Sequence, residues 1–78
     1  MSTPPLVLYH RIDDTESAAV RRRIVELGLK GRIDFQNVDT DGAEAFAEHG
    51  GRLVPALWDG ERLHEGKGAA LAVLETLP

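Results

Sequence analysis

Apolar and polar positions switch between two periods along this chain, and each switch marks an element. Leu6-Val7-Leu8-Tyr9-His10 is a short run of β-forming side chains closed by the polar Arg11-Ile12-Asp13-Asp14, which predicts a buried strand and then a loop. Ahead of it, Pro4-Pro5 blocks regular structure in a loose lead-in from Met1 to Pro5. Asp13-Asp14-Thr15-Glu16 reads as a capping box, with Asp13 as cap and Glu16 three residues on; Asp14 and Thr15 are alternative caps. Val20, Ile24 and Leu27 then recur at helical spacing. Gly28, or Gly31 after Lys30, supplies the left-handed stop.

Ile33, Phe35 and Val38 mark a second strand, with a bulge or early end expected at the polar Gln36-Asn37. Asp39-Thr40-Asp41-Gly42 is turn chemistry. Ala43 to His49 reads as a short helix that buries Phe46 and Ala47 and stops at Gly50-Gly51. Leu53 to Trp58 reads as the third strand, Asp59-Gly60 as a two-residue hairpin turn, and Glu61 to Glu65 as its antiparallel partner. After Gly66-Lys67-Gly68, the residues Ala70, Val73, Leu74 and Leu77 form a last helical stripe. The order β-α-β-α-β-β-α requires a mixed sheet, because the opening crossover is parallel and the closing hairpin antiparallel.

Composition narrows the chemistry. Seventy-eight residues make one small domain with a modest core. The content is 42% hydrophobic and 28% charged, an ordinary globular balance. A net charge of −4 disfavours nucleic-acid binding by phosphate neutralisation. The apolar runs are too short to cross a membrane, and no charged-then-apolar leader suggests secretion, so a cytoplasmic protein is expected. There is no cysteine, which excludes disulfides and thiol chemistry by this chain.

The element order, with Val-Pro opening the third strand, resembles the thioredoxin fold, and most closely glutaredoxins and the amino-terminal domain of glutathione S-transferases. Three stretches carry the resemblance: Leu6-Val7-Leu8-Tyr9, Gly51-Arg52-Leu53-Val54-Pro55-Ala56-Leu57-Trp58-Asp59-Gly60, and Leu63-His64-Glu65-Gly66. The resemblance implies an α/β domain spanning residues 1–78, with a four-stranded mixed sheet and helices on both faces. It also implies a cis bond at Val54-Pro55, beside which the backbone of Val54 pairs with an extended ligand. The family's Cys-x-x-Cys would fall near Asp14-Thr15-Glu16-Ser17, where no thiol stands. Glutaredoxin-type exchange is therefore excluded, since it needs a thiolate. The acidic Asp13, Asp14 and Glu16 would also repel an anionic tripeptide.

On this resemblance the ligand-binding candidates are Val54, Pro55, Glu65, Gly66 and Lys67. Glu65 matches an acidic position near the γ-glutamyl end of glutathione, but Gly66 replaces the usual serine after it. The N–H groups of Gly66, Lys67 and Gly68 are a candidate anion site, set against a plain glycine turn. Tyr9 and Ser17 are the two hydroxyls placed to stabilise a bound thiolate, each set against a simple structural role. His10, His49 and His64 show no metal spacing, so no metal is expected. Arg21-Arg22-Arg23 with Lys30 and Arg32 reads as a solvated basic face, or as a docking patch for an acidic partner. Trp58 is expected in the core or along the hairpin.

The expected role is a cysteine-free binding module for a glutathione-like or extended peptide ligand. One rival is a minimal glutathione-dependent transferase using Tyr9 or Ser17; against it stands the missing helical second domain that transferases use for the electrophile. The other rival is a protein-interaction adaptor working through a protein partner.

Overall fold

A computed structural model describes residues 6–77, and the lead-in expected over Met1 to Pro5 lies outside them. The elements are β1 (Leu6–His10), α1 (Thr15–Glu26), a 3-10 turn (Lys30–Arg32), β2 (Ile33–Asn37), α2 (Ala43–Glu48), β3 (Ala56–Trp58), β4 (Leu63–Glu65) and α3 (Lys67–Thr76). The result is an α/β fold with a four-stranded mixed sheet and three α-helices among the described residues. Strand order is β2-β1-β3-β4, with β1 and β2 parallel and the other two pairings antiparallel.

The two interior strands are β1 and β3, in keeping with their apolar runs. The side chains of β1 alternate between two clusters, because successive Cβ atoms on a strand point to opposite faces. Leu8 joins Leu57, Ile33, Val20 and Ile24 of α1, and Ala70 and Leu74 of α3. Val7 and Tyr9 join Ala56, with Ala45 and Phe46 of α2 packed against them.

Several boundaries differ from those the pattern predicts. Asp14, not Asp13, caps α1: its carboxylate accepts from Ser17 N–H at 2.8 Å. Glu16 takes no part in a capping box among the described contacts; the cap pairs with the N–H of Ser17 instead. Gly28 is the stop, with φ +70°. The chain then turns so that Leu29 reaches the core, a position the helical stripe did not include. No bulge forms at the polar Gln36-Asn37, and the strand ends at Asn37, one residue short of Val38. Regular parallel pairing continues to His10↔Asn37, because the backbone ladder with β1 is indifferent to side-chain polarity. Ala47 is exposed and Ala45 takes its place inward.

The third strand starts later than its apolar run suggests, at Ala56, and Leu53 to Pro55 form a bend. The Val54–Pro55 peptide is cis. The hairpin loop spans Asp59 to Arg62 rather than two residues, since Trp58 pairs with Leu63. Asp59 organises it: its Oδ1 accepts from the N–H groups of Glu61 and Arg62, each at 2.8 Å, and its Oδ2 meets His64 Nε2 at 2.8 Å. The His64 side chain first, and those two N–H groups next, pull the Asp59 carboxyl down to about 2.

Candidate functional site

Strand register decides which loops meet. Tyr9 lies opposite Ala56, and Ala56 opposite Glu65. The chain therefore leaves β1, enters β3 and leaves β4 at one end of the sheet. That end gathers the β1–α1 loop, the Arg52–Pro55 segment and the start of α3, regions far apart in sequence.

The Arg52–Pro55 segment is held from below. Glu65 Oε1 accepts from the backbone N–H groups of both Arg52 and Leu53, the latter at 2.9 Å. Those two N–H groups, more than the nearby Arg52 charge, hold the Glu65 carboxyl below its ordinary value. Gly66 N–H donates to Pro55 C=O at 2.8 Å and closes the same corner. Pro55 is buried, whereas Leu53 is 61% exposed. Between them Val54 is half-buried, and among the described residues nothing bonds its backbone N–H or C=O. A held segment with free main-chain groups is suited to pairing with another extended main chain.

Gly66 sits at φ +94°, a conformation that favours glycine, and its C=O accepts from Ala70 N–H as α3 begins. No side chain caps α3. Lys67 and Arg52 are exposed beside this corner. The five residues proposed from sequence, Val54, Pro55, Glu65, Gly66 and Lys67, are thus brought together. Glu65 serves there as an internal acceptor that shapes the bend, a role its position in sequence did not signal.

Across from it, the β1–α1 loop is equally well anchored. Ser17 is fully buried, and its hydroxyl accepts from Arg11 N–H at 3.2 Å. The Arg11 guanidinium binds both carboxylate oxygens of Asp39, at 3.2 and 3.1 Å, joining this loop to the turn after β2. Asp14 is occupied as the helix cap, so the exposed acids here are Asp13 of the loop and Glu16 in the first turn of α1. Ile12 is 63% exposed.

The Tyr9 side chain is buried. It is 2% exposed, and its ring packs on Phe46 at 5.4 Å and edge-on to His49 at 5.9 Å. Burial foremost, then the charges of Asp34 and Glu48, push its phenol above the ordinary value. Trp58 is half-buried on the same side and stacks on His49 at 3.6 Å. The basic run after Val20 is divided by the helix. Arg23 bridges to Glu75 of α3 at 2.8 Å and to Glu26, and Arg21 turns to the β1–α1 loop. The three histidines have separate surroundings, and among the described residues no three metal-ligating side chains converge.

No protein-family model matches this chain, and no curated protein matches it.

Proposed function

We propose that the protein is a cysteine-free binding module of thioredoxin-like architecture, with helices on both faces of its sheet, resembling glutaredoxins and transferase amino-terminal domains. It captures a glutathione-like or extended peptide segment along Val54, between the β1–α1 loop and the Gly66–Lys67 corner. The carrying observation is the free backbone of Val54 on a segment clamped by Glu65. A prearranged main chain loses little conformational entropy on pairing, so a short ligand is enough. The strand order, and the two clusters on alternate side chains of β1, support the architectural part of the reading. Binding requires no chemistry from the chain, in keeping with a sequence that has no thiol.

The transferase reading gains nothing from the geometry. Ser17 Oγ is inside the fold as an acceptor, and the Tyr9 ring is buried against Phe46 and His49. The adaptor reading through the arginine run is weakened in the same way, since Arg21 and Arg23 are engaged internally.

The test is an amide-shift titration of labelled protein with glutathione, and separately with a blocked pentapeptide of alternating Ala and Leu. Shifts at Leu53, Val54 and Gly66 with either ligand support the proposal, and the ligand that produces them decides between tripeptide and general main-chain recognition. Stationary amides at those three residues with both ligands at about ten millimolar overturn it, because binding that weak is worth only about 3 kcal/mol.

A further inference from the structure

His10 ends β1 and is 5% exposed, yet its ring is not idle. Arg21 Nη1 lies 3.0 Å from His10 Nδ1. A guanidinium only donates, so Nδ1 accepts and the ring proton resides on Nε2. The same guanidinium reaches past the ring to the next two residues. Nη1 donates to Arg11 C=O at 3.1 Å and Nη2 to Ile12 C=O at 3.2 Å. One cation therefore ties the neutral imidazole to the first two peptides of the β1–α1 loop. Phe35 of β2 covers the ring edge-on at 5.7 Å and contributes no charge.

We propose that His10 and Arg21 form a proton-operated latch on the β1–α1 loop: closed while the imidazole is neutral, and released when Nδ1 takes a proton. The protonated ring has a donor on Nδ1 and a positive charge, both facing the guanidinium, so the 3.0 Å contact cannot persist. Arg21 then swings away from the ring, and the carbonyls of Arg11 and Ile12 lose their shared donor. Arg11 N–H still reaches Ser17, and Asp14 still caps α1, so the loop loosens without unfolding the helix. The charged groups acting on the ring are Arg21 from α1 and Asp41 from the turn after β2. Burial first and Arg21 second favour the neutral ring, and Asp41 opposes them. The folded state thus holds its His10 proton less tightly than the unfolded chain does. The latch is closed near neutral pH, and stability falls as pH drops below the unfolded imidazole value of about 6.5.

Ring signals of His10 and the amides of Arg11 to Asp14 are followed together by NMR from about pH 7.5 to about pH 4. The loop amides should move with the His10 ring in one shared step whose midpoint lies below 6.5, the ordinary imidazole value. In His10→Gln the side-chain carbonyl can still accept from Arg21, and that step should vanish from the loop. Loop amides that ignore the His10 ring, or that keep the same step in His10→Gln, overturn the latch. If His10→Gln does not fold, Arg21→Met decides. The His10 midpoint should then rise and the loop amides should no longer follow it, whereas an unmoved midpoint is fatal. This inference is independent of what binds beside Val54, so the two tests succeed or fail separately.

Discussion

A single carboxylate shapes the proposed binding segment. Glu65 accepts from two consecutive N–H groups, and without it Arg52 and Leu53 would have only water to satisfy them. Replacement by Ala should cost about 1 kcal/mol, the net value of such bonds where solvent can compete. Glu65→Gln should lose less, because an amide oxygen still accepts. Urea midpoints measure the difference, and hydrogen exchange at Arg52 and Leu53 should quicken in the alanine variant alone. Since the Glu65 carboxyl is held low, its contribution is complete above the unfolded carboxylate value and fades as pH falls through the folded one. An alanine variant with wild-type stability and exchange would show that the bend holds itself. At this scale the sequence was a partial guide. It marked Glu65 and Val54 as neighbours of a site, but the direction of a flexible side chain depends on which N–H groups the fold leaves unpaired.

Among the elements, α2 and β3 show where pattern reading falls short. The inward stripe of α2 with its two cap residues is Gly42, Ala45, Phe46 and His49, a regular 0, 3, 4, 7 series. Counting apolar residues alone hid it, because its ends are a glycine and a histidine. Ala47 is apolar, yet it lies on the exposed side. Gly42 is small because a Cβ there would press on Gln36 and the Asn37 carbonyl. Gly51 has a sharper constraint: a Cβ would overlap the ring of Phe46. Gly51→Ala should force that ring out of its seat and cost about 2 kcal/mol, typical of overpacking. Gly31→Ala is the control, since its Cβ meets nothing within 4 Å. Thermal unfolding of both variants checks this, and equal melting temperatures would refute it. The late start of β3 has a similar origin. The N–H groups of Arg52 and Leu53 turn to Glu65 instead of a neighbouring strand, so apolar content continues where the ladder does not.

Across the whole molecule, stability rests on few large side chains. A 78-residue chain has on the order of 4 to 12 kcal/mol to lose, from about 0.05 to 0.15 kcal/mol per residue. Leu57 is fully buried between the helices α1 and α3 and the paired Leu8 of β1. Leu57→Ala should therefore remove about 3 kcal/mol, a large share of that total, as transfer and cavity terms add. Denaturant unfolding would show the midpoint falling sharply at unchanged m-value; a small change would mean that the core collapses around the gap. The sequence by itself determined the element order, the buried character of the β1 run and the exclusion of thiol chemistry. These follow from periodicity and residue type, which act locally. Only the tertiary structure decided that Glu65 turns back to Arg52 and Leu53, that His10 meets Arg21, and that the basic run divides between the β1–α1 loop and α3. Those outcomes depend on contacts between residues distant in the chain. Strand register and helix docking bring such residues within hydrogen-bonding reach, and no local pattern encodes that distance.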